Sequence, residues 1–385
     1  MSFQPARLEL ARKYRNLNMT ELASRLQVTR QAVSKYMSGN GAPIEDVYFR
    51  LITQLGFPKT FYEQEKLPQY DIGNTFFRAL ASTTLKDIQT QEIKTMLVAE
   101  IYHFLQCYLG MPELNVLHFD VDETSPEEAA NALRAHWGLD DQPIDNMVAL
   151  LESKGIVVSS FTVGTKTIDA FTQVHCQVGQ EDQFVVILGN DTTMVRRQFS
   201  AAHELGHIVL HNNLPNLKDL ETDVKKRIED QANNFAAAFL LPCKGFHRDL
   251  IFPHKLEPYM TLKKKWRVSI AAMIMRAKQL DAISSSQYEY LWRQYNGKGR
   301  EWRTKGREPY DDVWAVPQPQ LFKKAVTILV EQGILTPEEY MQALENYGYA
   351  LEPKEVEHLL DLEEGTLAIK NETPQAPLEL NIKQG

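Results

Sequence analysis

The spacing of apolar residues along the chain predicts helices over most of its length and strands in one stretch. From Gly155 the period shortens, and three segments rich in β-branched residues are broken by Gly, Asp and Asn: GIVVSSFTV, IDAFTQVHCQV and QFVVILGN. Such segments are typical of strands, so we predict a small sheet of about three. Helices are predicted after it, over about Thr193 to His211, Asp223 to Leu241 and Val268 to Leu280. The pattern therefore predicts an α+β, mostly helical, multidomain protein.

Residues 6–60 predict several short helices with tight turns, centred on MTELASRLQVTRQAVSKYMSGNGAP. Thr20 can cap a helix over Glu21 to Leu26, and Thr29 can cap a second helix that runs to about Ser38. Two short helices around such a turn form a helix-turn-helix unit, and the outward face of the second helix is then polar. The residues that would pack inside the unit are Leu22, Ala23, Leu26, Val28 and Val33.

The patterns divide the chain into a helix-turn-helix bundle, a helical connector, a central domain with the sheet, and a helical C-terminal region whose polar tail we expect to be mobile. The predicted bounds are 1–65, 66–120, 121–290 and 291–385. The clearest helix of the connector covers Gln91 to Leu109. The central domain opens on a strong helix start, with Ser125 as the cap, Pro126 at the first position and Glu128 at the capping-box position.

The charge distribution separates the N-terminal bundle from the rest of the chain. The 385 residues carry a net charge of −8, whereas residues 1–60 hold nine Lys and Arg against four Asp and Glu, a local net charge of +5. A basic module on an acidic body indicates that one end of the molecule meets a polyanion.

Cysteine usage and hydropathy indicate the compartment. Cys107, Cys176 and Cys243 form neither a CxxC pair nor a disulfide framework, which fits a reducing environment. No apolar stretch suits a secretory signal or a membrane span. We therefore expect a cytoplasmic protein that does not enter a membrane.

The sharpest chemical signal is the HExxH spacing inside FSAAHELGHIVLH. His203 and His207 are four residues apart, so on a helix both imidazoles lie on one face and can reach one metal ion. Glu204 then lies beside the ion, where it can polarise a water molecule. This arrangement is that of a zincin, so the central domain is predicted to be zincin-like. The alternative is a surface helix with two unrelated histidines.

A catalytic zinc normally takes three protein ligands, so the motif requires a third donor. Glu229 lies in the next predicted helix, within RIEDQANNFAAAFLLP, and a turn between antiparallel helices would bring its carboxylate to the metal. The alternative for Glu229 is a solvated charge near a helix start. Two His and one carboxylate suit Zn2+, although other divalent ions bind such a set. The acidic residues that rank behind it are Asp230, Glu221 and Asp223.

His211 extends the motif face by one more turn. Eight residues at a rise of 1.5 Å separate it from His203 by ~12 Å along the axis, too far for both to bind one ion. We therefore interpret His211 as a helix-end histidine. By position alone, His254 and Tyr259 are candidates for a second group that stabilises the oxyanion formed during hydrolysis. We favour the alternative that they are an ordinary surface histidine and tyrosine.

These segments resemble the ImmA/IrrE family of metallopeptidases. HELGHIVLH is followed at the family spacing by EDQANNFAAAFLLP, and further similarity covers SPEEAANALRAHWGL, IDNMVALLESKGIVV and WRVSIAAMIMRAKQLDAIS, from about residue 120 to 290. The resemblance implies that His203, His207 and Glu229 bind zinc and that Glu204 is the catalytic base. It also implies a substrate class, because the family is known for cleaving a repressor protein to induce genes. An extended substrate could align along a sheet edge beside the motif helix.

The first 60 residues resemble the XRE/Cro-like helix-turn-helix repressors, in which the second helix enters the major groove of DNA. Thr29 and Asn40 could bind phosphate, and dimerisation would suit paired half-sites. The alternative is a small helical module that binds protein. The candidate DNA contacts are Arg30, Gln31, Ser34 and Lys35.

The leading hypothesis is a transcriptional regulator that carries its own zinc-dependent endopeptidase, with DNA and a protein or peptide substrate as partners. A second hypothesis is a transcription factor whose zincin-like domain senses a ligand or partner without hydrolysis. A third is an antitoxin-like or phage-defence component that acts through protein association. The intact Glu204 favours the enzyme, because metal binding alone would not need a base there.

Overall fold

The computed structural model describes residues 2–65, 71–77, 84–160, 170–176, 182–190, 192–212, 214, 220–304 and 308–368. Over these residues the chain is mostly helical with one small sheet, which confirms the predicted α+β class. No helix of the described residues is long and apolar enough to cross a membrane. The expected mobile tail falls largely within residues 369–385, which lie outside the described residues.

The N-terminal helices lie where the apolar pattern predicts them. Thr29 caps the third helix as expected, since its hydroxyl accepts from the Ala32 N–H at 3.1 Å. The predicted cap of the second helix is wrong by two residues, because Asn18 and not Thr20 accepts from the first-turn N–H groups and forms a capping box with Glu21. The elements are α1 (Pro5–Tyr14), α2 (Met19–Leu26), α3 (Arg30–Met37), α4 (Glu45–Leu55) and a 3₁₀ helix (Lys59–Glu63).

The sequence predicts a helical connector over residues 66–120, but the connector is not wholly helical. It contains a strand, β1 (Asp71–Phe77), before the long helix α5 (Leu85–Gln106). The strand was missed because its Gly73-Asn74 pair interrupts any regular alternation of apolar residues.

Three C-terminal helices complete a core with α5 and the N-terminal helices: α14 (Leu321–Glu331), α15 (Pro337–Tyr347) and α16 (Pro353–Leu360). Polar contacts tie the two ends of the chain together. The Glu355 carboxylate of α16 accepts from the Tyr14 hydroxyl and from the Arg15 guanidinium, each at 2.5 Å. The buried Arg7 donates to the Gly348 carbonyl at 2.9 Å. The N-terminal helices are therefore anchored on the C-terminal region.

The remaining strands are β2 (Val157–Ser159), β3 (Ala170–Cys176) and β4 (Gln183–Leu188), as the three β-branched segments predict. Within the described ranges, the four strands form one sheet in the order β1-β3-β4-β2. β3 is antiparallel to both of its neighbours, and β2 runs parallel to β4. One face of the sheet, including Phe171 and Ile187, joins the core that contains α5.

The other face of the sheet, including Val174 and Val186, joins a second core built by the central helices. The first of these helices begins at the predicted Ser125 cap, whose capping box with Glu128 is formed. The helices are α6 (Pro126–His136), α7 (Met147–Ser153), α8 (Met194–His211), α9 (Thr222–Leu240), α10 (Cys243–Asp249), α11 (Glu257–Trp266), α12 (Ile270–Gln279) and α13 (Ser285–Thr304).

Candidate metal centre

Helix α8 carries the HExxH segment through the middle of the central core. Thr193 caps it, and sixteen of its eighteen residues are buried, so its register relative to the sheet is set on all sides by packing. His203 and His207 have 0% and 1% of their surface exposed. Both imidazoles are therefore held inside the protein on one face of a rigid helix.

Helix α9 approaches α8 very closely at this point. A Cβ atom added at Gly206 would lie 3.1 Å from the Phe235 ring and 3.2 Å from the backbone of Ala232. The small residues at 206 and 232 therefore allow this close approach. Glu229 lies about one turn before Ala232, so the same approach brings its carboxylate to the two histidines.

Three side chains converge between the two helices. His203 Nε2 and His207 Nε2 lie 3.1 Å apart. His203 Nε2 lies 3.3 Å from Oε2 of Glu229, and His207 Nε2 lies 3.6 Å from Oε1 of the same carboxylate. Ligand atoms about 2.0–2.1 Å from a tetrahedral ion lie about 3.3–3.4 Å from one another. Within the described residues these three form the group whose geometry suits a metal ion. The donor set of two imidazole nitrogens and one carboxylate would therefore suit a divalent metal ion.

A hydrogen bond orients the ring of His203. Its Nδ1 lies 3.0 Å from Oδ1 of Asn233, one turn after Glu229 on α9. Because an amide oxygen only accepts, the proton of His203 is on Nδ1, and Nε2 keeps its lone pair for a ligand bond. Asn233 was not singled out from the sequence, although its i,i+4 spacing from Glu229 could have suggested it.

A second chain of hydrogen bonds orients His207. His211 Nε2 lies 3.1 Å from Oε1 of Gln231, and His211 Nδ1 lies 3.1 Å from His207 Nδ1. Since Gln231 Oε1 only accepts, His211 is protonated on Nε2 and accepts on Nδ1, so the shared proton belongs to His207 Nδ1. Burial lowers the pKa of His211 to about 4, which keeps this ring neutral near pH 7. His207 Nε2 is thereby left as the ligand atom.

The sequence predicts that His211 is a helix-end histidine, and the structure confirms this, because His211 is the last residue of α8. The structure adds that His211 is completely buried against His207 and Gln231. The contact with Gln231 could not be predicted from the sequence, because it joins two different helices. The same i,i+4 spacing that excludes His211 from the ion places it against His207.

Glu204 is completely buried and is held from the sheet. The Thr172 hydroxyl of β3 donates to Glu204 Oε2 at 2.6 Å. A hydrogen bond to a carboxylate is stronger than one between neutral groups, so it restrains the carboxylate next to the histidines. Thr172 was missed from the sequence, because nothing local to it indicates a contact 32 residues away.

The other predicted candidates lie outside this group. Asp230, Glu221 and Asp223 are exposed, whereas the side chain of Glu229 is 34% exposed and faces the histidines. His254 is exposed on a loop. The interpretation of Tyr259 as a surface residue is wrong, because Tyr259 is fully buried. Its hydroxyl donates to the Pro253 carbonyl at 2.7 Å.

The candidate DNA-contacting residues form a separate surface on α3. All four side chains are exposed, and the buried Val33 anchors the opposite face of the helix. Thr29 and Asn40 are also exposed, at the two ends of the helix. The residues that share this outward surface are Arg30, Gln31, Ser34 and Lys35.

Part of the central domain is similar in sequence to a known family. Residues 151–278 match the model of Peptidase_M78, the IrrE N-terminal-like domain, which supports the ImmA/IrrE part of the sequence resemblance and indicates a peptidase. The matched segment runs from the end of α7 into α12 and contains both histidines, Glu204 and Glu229. No curated protein matches the chain at a significant level.

Proposed function

We propose that the central domain is a zinc-dependent endopeptidase. The observation that carries this proposal is the convergence of His203, His207 and Glu229, whose ligand atoms all lie within 4.8 Å of one another. The buried Glu204 lies next to His203. The hydrogen bonds at Nδ1 of each histidine, which direct Nε2 toward a ligand bond, support the proposal. The match of residues 151–278 to a peptidase family supports it from the sequence.

The chemistry follows from these residues. Zn2+ in this site would supply Lewis acidity toward a peptide carbonyl and toward water. Glu204 accepts the proton as water attacks the carbonyl carbon and gives it to the departing amine nitrogen when the C–N bond breaks. Thr172 holds the Glu204 carboxylate in place through Oε2. Since Glu204 and both histidines are buried, these electrostatic interactions are screened little by solvent.

The substrate class comes from the family resemblance and not from the geometry. We propose that the substrate is a regulatory, repressor-like protein presented as an extended segment. The partly exposed Glu229 marks the side on which the centre opens to solvent. Cleavage by this domain would then induce genes that the repressor holds silent.

The first test is the metal content of the purified full-length chain. We expect about one zinc per wild-type chain, and loss of that zinc in His203→Ala and in Glu229→Ala. Asp230→Ala is the matched control, because Asp230 is an exposed carboxylate next to Glu229 on the same helix. Glu204→Gln is expected to keep the metal and to lose hydrolysis of a quenched fluorescent peptide library.

Each outcome of this test separates the hypotheses. A wild-type chain that stays metal-free after incubation with zinc would end the peptidase proposal. A chain that binds zinc through all three residues but hydrolyses nothing, with Glu204→Gln indistinguishable from wild type, would favour the non-hydrolytic sensor.

We also propose that α3 binds DNA. The support is its polar exposed surface, which carries Arg30 and Lys35 in a segment with a local net charge of +5. Arg and Lys suit guanine or phosphate, and Gln31 suits adenine. Salt dependence is expected, because each phosphate contact releases counterions.

Selection of bound sequences from a random duplex pool, followed by fluorescence anisotropy, tests this proposal. Gln31→Ala is expected to relax sequence preference, and Lys35→Ala to weaken binding to the selected sequence. Lys59→Ala is the control, since it also removes one exposed positive charge but on the 3₁₀ helix. Equal losses in Lys35→Ala and Lys59→Ala would point to non-specific charge attraction and would contradict a contact by α3.

A further inference from the structure

Strand β3 has one neighbour from its own domain and one from outside it. β4 pairs with one edge of β3, and β1, from the connector before α5, pairs antiparallel with the other. Without β1, the second edge of β3 would present a row of backbone N–H and C=O groups to any extended chain.

This edge lies beside the candidate metal centre. Thr172, in the middle of β3, donates to Glu204 at 2.6 Å, and Glu204 is adjacent to His203. Paired strands lie about 4.8 Å apart, so the backbone of residues 75–77 runs one strand away from the residue that holds Glu204. The register pairs are Thr75–Gln173, Phe76–Thr172 and Phe77–Phe171.

An extended substrate is expected to align along a sheet edge beside the motif helix. We propose that residues 71–77 of this chain occupy that edge of β3 as an antiparallel strand and so close the metal centre to an extended substrate. The proposal rests on the proposed function for the role of the centre. Strand addition supplies affinity through main-chain hydrogen bonds and does not depend on one sequence. A substrate must therefore displace β1 before it reaches Glu204.

Two features of β1 indicate that its pairing with β3 can be displaced by a substrate peptide. Its pairing with β3 is irregular between Ile72 and Thr75, which splits the ladder into two short parts. Gly73 and Asn74, at the irregularity, are residue types depleted in strands. Since each ladder bond contributes little net free energy, a peptide with uninterrupted pairing would compete well. Displacement acts directly on the segment that joins the N-terminal helices to α5.

A proline series in the full-length chain tests the proposal. Backbone N–H groups along a strand point alternately toward the partner strand and away from it. Proline at one parity removes a ladder hydrogen bond, whereas proline at the other parity replaces an N–H that faces away from β3. Thr75→Pro and Phe77→Pro share one parity and Phe76→Pro has the other, so each parity is the matched control for the other.

The probe is a fluorescein-labelled peptide with the sequence of residues 71–77, and the readout is fluorescence anisotropy with metal-free protein. We expect the peptide to bind about fivefold more tightly for each ladder bond that a variant has lost, and wild type and the other parity to bind it weakly. The same peptide with a central proline should bind none of the proteins. Circular dichroism of each variant checks that the rest of the fold is kept.

An alternating response supports the proposal, and a uniform response of all three variants, or no saturable binding to any of them, overturns it. The assay needs neither metal nor hydrolysis, so its result is distinct from that of the proposed function. A chain that binds the peptide with alternation but holds no zinc would keep this surface and end the peptidase proposal. A chain that hydrolyses peptides but shows no alternation would do the reverse.

Discussion

The Nδ1 atoms of His207 and His211 lie 3.1 Å apart on successive turns of α8, and this contact determines which nitrogen of His207 carries the proton. A ligating histidine needs its other ring nitrogen to be fixed by a hydrogen bond, most often to a carboxylate or a carbonyl. Here a neutral histidine takes that role, and Gln231 fixes its tautomer in turn. The ligand geometry thus depends on a residue outside the ligand set.

Replacing His211 by Phe keeps a ring of similar shape and removes the acceptor for His207 Nδ1. We expect the affinity for zinc to fall about 10- to 100-fold, because His207 loses the partner that selects its tautomer. Competition with a chromophoric chelator measures this affinity at fixed pH. Unchanged affinity in a folded His211→Phe chain would contradict the positioning role, and Asp230→Ala serves as the variant that should not change it.

Gly206→Ala tests the close approach of α8 and α9. Alanine favours a helix interior by about 1 kcal/mol over glycine, so helix propensity alone predicts a gain in stability. The added Cβ would meet the Ala232 backbone at 3.2 Å, however, so α9 and Glu229 must move away from the histidines. We expect weaker zinc binding with unchanged helix content by circular dichroism. A zinc affinity equal to that of wild type would contradict this prediction, because it would show that Glu229 keeps its position relative to the histidines.

Thr172→Val removes one hydroxyl and leaves the side-chain shape nearly the same. The buried Glu204 carboxylate loses the donor at 2.6 Å, so its orientation toward the metal centre is no longer held from the sheet. We expect peptide hydrolysis to slow by about tenfold while the zinc content stays at the wild-type level. Rescue by Thr172→Ser, which restores the hydroxyl, separates this role from packing. A fully active Thr172→Val chain would remove Thr172 from the mechanism.

His175 predicts how stability responds to acid. Burial, with a smaller effect of His103, lowers the pKa of His175 to about 3, below the ordinary value of 6.5. The folded chain therefore resists protonation that the unfolded chain accepts, so stability is lost as the pH falls from about 6.5 toward 3. One such residue costs about 2 kcal/mol between pH 7 and pH 5.

Thermal unfolding of the metal-free chain at pH 7 and pH 5 measures this loss. His175→Gln, which cannot titrate, is expected to show a smaller decrease in melting temperature over the same interval. Equal decreases in both proteins would assign the acid sensitivity to other groups. The comparison is between pH values within each protein, so a general destabilisation by the substitution does not affect it.

Local sequence determined the parts of this protein that depend on neighbouring residues. The i,i+4 spacing of His203 and His207 holds on any helix, and the caps at Thr29 and Ser125 form from residues within one turn. The β-branched segments became β2, β3 and β4 for the same reason. Even Glu229 could be proposed, because two consecutive helices with small facing residues pack closely.

Tertiary packing decided the contacts that join distant segments, because such contacts depend on how whole elements pack and not on a local period. Thr172 meets Glu204 only after the sheet packs on α8, and β1 becomes a fourth strand only because β3 leaves an edge to pair with. The sequence predicts that His211 lies on the same face of α8 as His207. Its role in orienting His207 depends on a hydrogen bond to Gln231 of α9, which only the packing of the two helices brings about. Spacing within one helix placed the two histidines, and packing between elements determined what each of them contacts.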